Sequence, residues 1–317
     1  MVALSTVVDF NASFAEEDHA GSVCVFAGAT AGIGLATLKR MATMLHSSSF
    51  YILGRSLPKF QHHIDDLKSV GPSNRYIFIE AQVSLISSID AACTRIAAVE
   101  SKVDYLLMSP GGVPWSGPVY TSEGLETCFA VSYYSRMRLV SNLLPLFHNS
   151  PHPRVLSVLN GGREKAINTE DIGLEKSWGV FPVINHTTTL HSLAFDYLAA
   201  NDSQKHIVFL HAFPGLVNSS PKQKPDRKNG LVQWLLLWLL KFVMRFVYRF
   251  KGTSLEESGE RHAFRLTADT SGAGSWRVNQ YCDLVSDNLT LARYRSEGWE
   301  DKVWEHTQRV WDKALGA

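Results

Sequence analysis

Four cysteines are all this chain of 317 residues has, and Cys24, Cys93, Cys128 and Cys282 form no CxxC spacing. That excludes a zinc knuckle or a disulfide framework, and no metal site is expected. Charge excess is also lacking: Lys+Arg 31 against Asp+Glu 30 leaves +1. With no basic surplus there is no general case for nucleic acid as a partner. The first twenty residues lack a basic stretch followed by an apolar run of signal-peptide length. The expectation is a cytoplasmic chain in a reducing compartment, where triplets such as Asn218-Ser219-Ser220 carry no weight as glycosylation sites. Membrane-length apolar runs are missing too. The unbroken stretch Trp234 to Leu240 falls far short of the ~20 residues a bilayer span needs. No repeat, low-complexity tract or linker divides the chain. It reads as one domain, with a core over about 20–215 and an insert plus C-terminal segment over 216–317.

What is present is most informative at Val23 to Gly34, VCVFAGATAGIG. An apolar run, Val23 to Ala27, reads as a buried strand; it turns through Gly28, Thr30, Ala31, Gly32, Ile33 and Gly34 into a helical pattern, Leu35 to Leu45. Such a turn aims backbone N–H groups and the positive end of a helix dipole at one point, which suits a pyrophosphate. Gly28 permits the tight turn, Gly32 lets the backbone approach phosphates, and Gly34 lets helix and strand pack closely.

Further apolar strands are expected at Phe50–Leu53, Arg75–Glu80, Asp104–Met108, Arg154–Val158 and Ile207–His211. Helical patterns separate them at Leu57–Ser69, Ile86–Val99, Thr121–Phe147 and Val183–Ala200. Short apolar strands alternating with amphipathic segments predict an α/β fold, a Rossmann-like doubly wound parallel sheet covered on both faces. Ligands in such sheets bind beyond the carboxyl ends of the strands, where strand order reverses.

Leu231 to Phe250, LVQWLLLWLLKFVMRFVYRF, is set apart by its apolar character, with Lys241, Arg245 and Arg249 recurring every four residues. On a helix those three cations form one stripe. Two readings stand: an interfacial helix meeting lipid phosphates at a membrane surface, or an apolar lid or partner-facing element over the substrate pocket.

These motifs together resemble the short-chain dehydrogenase/reductase family, over nearly the whole chain to about Thr270, with a tail like that of fungal secondary-metabolism members. Ala27 to Gly34 matches the family's glycine loop; Ser109-Pro110-Gly111-Gly112 stands where the family has its Asn-Ala-Gly loop; Pro214-Gly215 matches its Pro-Gly turn near the nicotinamide. The resemblance implies a nicotinamide cofactor held by these segments and by Gln82, which stands where an aspartate usually follows the third strand. Gly54 occupies the place of the carboxylate that grips the ribose 2′-OH in NAD-preferring sites, and Arg55 follows it. A guanidinium with no nearby acid fits a 2′-phosphate, so the expected cofactor is NADP(H). The family also tends to pair, which implies a homodimer through the helices from Thr121 and Val183.

The family's redox machinery is an asparagine, serine, tyrosine and lysine tetrad. Aligned on the motifs above, its positions here hold Ser132, Asn160, Ile184 and Thr188. Isoleucine has no proton to give, whereas general acid/base catalysis needs a titratable group at the reacting oxygen. His186 lies two positions past Ile184 and points away on a helix; His191 shares its face but lies about 10 Å further along the axis. Asn160 keeps the capacity to donate to a carbonyl or enolate oxygen, and Ser132 and Thr188 can hold water or ribose hydroxyls. Three functions follow. One is an NADP(H)-dependent oxidoreductase acting on a hydrophobic natural-product carbonyl or alcohol with a non-standard proton source. The second is a non-redox isomerase, cyclase or dehydratase on the same fold. The third is a cofactor-binding pseudoenzyme that docks on a partner.

Overall fold

The computed structural model describes residues 1–112, 117–217 and 252–316. One eight-stranded sheet, in the order β3-β2-β1-β4-β5-β6-β7-β8, runs through it. Its strands are β1 (Val23–Ala27), β2 (Ser49–Gly54), β3 (Arg75–Glu80), β4 (Tyr105–Met108), β5 (Arg154–Val158), β6 (Val208–Ala212), β7 (Gly274–Val278) and β8 (Leu284–Val285). Every pairing is parallel except β7 with the short edge strand β8. Strand order reverses between β1 and β4, so the cleft opens above the carboxyl ends of those two strands.

Helices cover both faces: α1 (Leu4–Phe14), α2 (Gly32–Met44), α3 (Leu57–Val70), α4 (Ile86–Ala97), α5 (Ser135–His148), α6 (Val180–Ala200), α7 (Leu255–Thr267), α8 (Leu289–Ser296) and α9 (Trp299–Leu315). The central strands β1, β2, β5 and β6 are buried along their whole length. That is why they read as continuous apolar runs rather than alternating ones. Val25, Leu106 and Phe209 face one apolar layer, while Phe26, Leu107 and Leu210 face the other. Each such fully buried side chain stabilises by roughly 1.5–3 kcal/mol relative to exposure.

The helix expected from Thr121 starts later and is not regular. Thr127–Phe129 is helical, Ala130–Tyr134 forms a π-helical turn, and only then does α5 begin. The strand β7 lies past Thr270, so the sheet continues beyond the span expected from the family pattern. The final helix, α9, lies against α6 and the start of α5. Trp304 stacks on Tyr197 at 5.0 Å, and Trp311 Nε1 donates to Tyr134 O at 3.1 Å. Part of the face expected to pair two copies is thereby covered from within the chain. Among the described residues no helix is long and apolar enough to cross a membrane. The 231–250 segment lies outside the described residues.

Candidate active site

The glycine loop is built tightly. Gly28 has φ +82°, and a Cβ there would lie 2.3 Å from Pro110 N, so any side chain would push the β4 loop away. Helix α2 begins at Gly32; its N-cap, Ala31, makes no side-chain cap bond, and its first turn carries no acidic residue. The opening N–H groups of α2 are therefore left for an anion, as a dinucleotide phosphate requires. Thr30 and Ala31 are exposed beside it, and Ile33 and Gly34 turn inward. At the end of β2 a Cβ on Gly54 would meet Phe78 and Thr30 at 2.6 and 2.7 Å. Steric crowding keeps this position a glycine as well as leaving it without a carboxylate. Arg55 is exposed next to it. Gln82 is exposed after β3, its Nε2 donating to Ser84 Oγ at 3.0 Å. Pro110 and Gly111 follow β4, and Pro214 and Gly215 follow β6, all at the same edge of the sheet. These residues fit a dinucleotide.

Asn160 stands just past β5 on a turn that brings two chain segments into contact. A Cβ on Gly161 would lie 1.9 Å from His211 O, so the turn after Asn160 tolerates only glycine. Asn160 Nδ2 donates to Thr188 Oγ1 at 3.4 Å, while that hydroxyl donates to Ile184 O at 2.7 Å. Asn160 and Thr188 thus meet, with Ile184 one helical turn before Thr188. Thr188 has spent its one proton on Ile184 O, whereas the Asn160 amide keeps a second Nδ2–H to donate. Ser132 sits in the π-helical turn, 3 % exposed, with its Oγ 3.9 Å from Cys128 Sγ. Among the described residues it makes no hydrogen bond to Asn160 or Thr188.

Behind Asn160 runs a polar chain that sequence reasoning missed. Glu164 Oε1 accepts from Ser192 Oγ at 2.6 Å, and Ser192 Oγ meets His211 Nδ1 at 2.8 Å. His211 Nε2 accepts from the Asn160 backbone N–H at 3.3 Å. A carboxylate only accepts, so the direction of each bond is fixed and His211 carries its proton on Nδ1. Glu164 also accepts from Gly162 N at 3.0 Å and Asn288 Nδ2 at 3.0 Å. The order is acid, serine, histidine. In a nucleophilic triad the histidine stands between acid and serine, so Ser192 is not an activated nucleophile. Burial, then the Arg136 charge, pushes the His211 pKa well below its usual value, which keeps the ring neutral. The chain positions the Asn160 turn.

Other aromatic and titratable candidates face elsewhere. His186 accepts from Asn168 N at 2.8 Å and lies 3.0 Å from Ile172 O, tying down the connection before α6. A hollow of about 310 Å³ lies on that side of α6, lined by Ala166, Asn168, Leu174, Pro182 and His186. Its lining includes none of the cleft residues. His191 is fully buried against Tyr133, Phe195 and His211. Tyr133 bonds Thr307 at 2.6 Å and Tyr134 bonds His306 at 2.9 Å, so both tyrosines are held by α9. Burial pushes both phenols up, away from proton transfer. At the rim, the exposed Arg163 guanidinium lies 3.7 Å above the Phe213 ring, next to Pro214.

The family model for short chain dehydrogenases matches residues 22–163. Among curated proteins, Oxidoreductase AN1596 of Emericella nidulans is 33% identical over 99% of this chain and 99% of its own length. Oxidoreductase lepF of Aspergillus flavus is 34% identical over 92% of each chain. Among solved structures, an NADPH-dependent 3-quinuclidinone reductase from Rhodotorula rubra superposes with a TM-score of 0.61 at 15% identity, over 85% of this chain and 94% of that one. An NADPH-bound carbonyl reductase from chicken fatty liver gives a TM-score of 0.59 at 12% identity, over 84% and 99%.

Proposed function

Because this chain belongs to the short-chain dehydrogenase family, we propose that it binds NADP(H) and acts as an oxidoreductase on a hydrophobic carbonyl or alcohol without a side-chain proton donor. One observation carries this reading: Asn160 sits on a braced turn just past β5 with a second Nδ2–H left to donate, while the neighbouring helix offers Ile184 and a Thr188 whose proton is spent on Ile184 O.

The glycine loop and the uncapped start of α2 would hold the pyrophosphate, and Arg55 the 2′-phosphate. When bound, the cofactor supplies or accepts a hydride. The chain's own residues orient the substrate oxygen. Asn160 Nδ2 donates to it and stabilises the negative charge that grows there, which in acyl-transfer sites is worth about 2.7–4 kcal/mol for one donor. The Glu164–Ser192–His211 chain holds the Asn160 turn so that the donor needs no reorganisation. Ile184 has no proton to exchange. The proton then comes from solvent or from the substrate's own acidic group. The relatives' names as oxidoreductases and the NADPH in the neighbours' titles support a redox reading over a non-redox one.

The test is an NADPH-oxidation assay over a panel of aryl and cyclic ketones, with Asn160→Ala and Asn160→Asp beside the wild type. Asn160→Ala should lower kcat by about 10²–10³-fold while leaving NADPH affinity intact. Dinucleotide binding without hydride transfer to any carbonyl, together with an isomerised or dehydrated product, would move the protein to the non-redox class.

A further inference from the structure

Arg136 takes no part in the cleft described above, and its surroundings are unusual for an arginine. It is 2 % exposed. Its Nε donates to Val131 O at 3.1 Å, and Nη1 donates to Ser157 Oγ at 2.6 Å and Val158 O at 2.9 Å. Nη2 donates to Pro110 O, and a Cβ on Gly111 would stand 3.7 Å from it. The guanidinium therefore bridges the ends of β4 and β5. On one side is the Pro110-Gly111 segment of the cofactor cleft; on the other, Val158 lies two residues before Asn160.

All these partners are carbonyls or a hydroxyl. Among the described residues no carboxylate forms an ion pair with Arg136, whereas Arg138, two residues on, grips Asp90 at 2.6 Å. Burying a cation without an anion costs several kcal/mol, so such a group is rare unless something else uses its charge. Its field reaches the neighbouring side chains. After burial itself, Arg136 is among the causes that hold His191 and His211 neutral. Burial also pulls the guanidinium pKa down to about 9, still charged at neutral pH. Meanwhile α6 presents Thr188, with no cation, where the family's lysine would stand.

The two redox states of a nicotinamide differ by one charge: the oxidised ring is cationic and the reduced ring is neutral. A fixed, uncompensated cation at the ends of β4 and β5 would disfavour the oxidised form of a ring bound over them. We propose that Arg136 makes this cleft selective for reduced over oxidised nicotinamide, so that the protein is loaded with NADPH when both forms are present. The inference rests on the dinucleotide-binding reading above and adds a redox-state preference to it. The same cation favours the negative charge that develops on a carbonyl oxygen held by Asn160.

The test titrates the full chain with NADPH and with NADP⁺ by calorimetry, for wild type, Arg136→Met and Arg136→Lys. In an effective dielectric of ~20, any unit charge within about 10 Å of the ring would change its affinity by roughly tenfold or more. Wild type should therefore bind NADPH at least tenfold tighter than NADP⁺. Arg136→Met should bring the ratio of the two dissociation constants towards one, and Arg136→Lys should keep most of it. A purely structural role would weaken both ligands alike and leave the ratio unmoved, which overturns the proposal. A wild-type ratio near one overturns it too, even if Arg136→Met fails to fold. Wild type that binds neither dinucleotide instead removes the underlying reading.

Discussion

Ser192→Ala tests the bracing of the Asn160 turn most sharply, because it deletes one atom from the middle of a closed chain. Ser192 Oγ joins Glu164 Oε1 at 2.6 Å to His211 Nδ1 at 2.8 Å, and all three side chains are buried. Without it, the His211 N–H has no acceptor within reach, since Glu164 Oε1 lies 4.0 Å away. An unsatisfied buried donor costs about 1–3 kcal/mol, and the lost bond to the ionised Glu164 adds roughly 1 kcal/mol or more. The expected destabilisation is about 2–4 kcal/mol. In domains of 150–250 residues, 1 kcal/mol moves Tm by roughly 2–4 °C, so calorimetry should record a drop of several degrees. A released His211 also loosens its bond to the Asn160 N–H, so kcat should fall more than NADPH affinity. An unchanged Tm, or a loss of kcat matched by an equal loss of cofactor affinity, would refute the bracing argument. Ser192→Thr, which keeps the hydroxyl, should retain much of both quantities.

Further outcomes follow from the same geometry. Gly28→Ala should abolish dinucleotide binding, because the added Cβ would sit 2.3 Å from Pro110 N at a φ of +82°; fluorescence titration reads this directly. Arg55→Ala should weaken NADPH by about 10–100-fold, the worth of a charge-assisted hydrogen bond, while NADH affinity changes little. Acid should destabilise the fold. Burial lowers His262 to about 3 and His306 to about 4, so the unfolded chain binds protons there that the folded chain does not. That stability is fully present above pH 6.5 and is lost as pH falls toward 4, at up to ~1.4 kcal/mol per pH unit for each histidine. Denaturant melts between pH 7.5 and 4.5 would expose a flat profile if this is wrong. Finally, α9 covers the α5–α6 face through Trp304 and Trp311. Light scattering should therefore give a mass free of pairing through that face, and a dimer broken by substitutions on it would contradict the packing described.

Much of the fold was legible because the strands that matter are buried on both faces and read as apolar runs. Arg154–Val158 falls where the pattern places it, the strand–glycine–helix unit at Val23 is continuous, and the half-buried edge strand Arg75–Glu80 also keeps its expected bounds. The helices flanking them were visible through amphipathic spacing. The strand β7 was not: Gly274-Ser275-Trp276-Arg277-Val278 mixes polar and apolar residues because Arg277 is buried in ion pairs with Asp196 and Asp287. The π-helical turn at Ala130–Tyr134 leaves no mark in spacing alone.

The candidate site was legible in part. Asn160, Ser132 and Thr188 came from the family pattern, and the structure joins Asn160 to Thr188 while turning Ser132 toward Cys128. Glu164, Ser192, His211 and Arg136 escaped because their partnership exists only in three dimensions. A signal was there. His211 is a polar residue inside the apolar strand Val208–Ala212, and Arg136 lies four residues past Ser132, on the buried side of α5. Polar side chains at positions that the hydrophobic pattern reserves for the core are the mark such networks leave in a sequence.

The central claim is that this cleft holds a phosphorylated nicotinamide dinucleotide beside an Asn160 donor and no titratable side chain. It is tested most directly by single-turnover hydride transfer from NADPH to an aryl ketone, followed from pH 5.5 to 8. The account predicts a rate that shows no titration of an enzyme group across that range and collapses in Asn160→Ala. A clear pKa in the wild-type profile, or an Asn160→Ala rate equal to that of wild type, would contradict it.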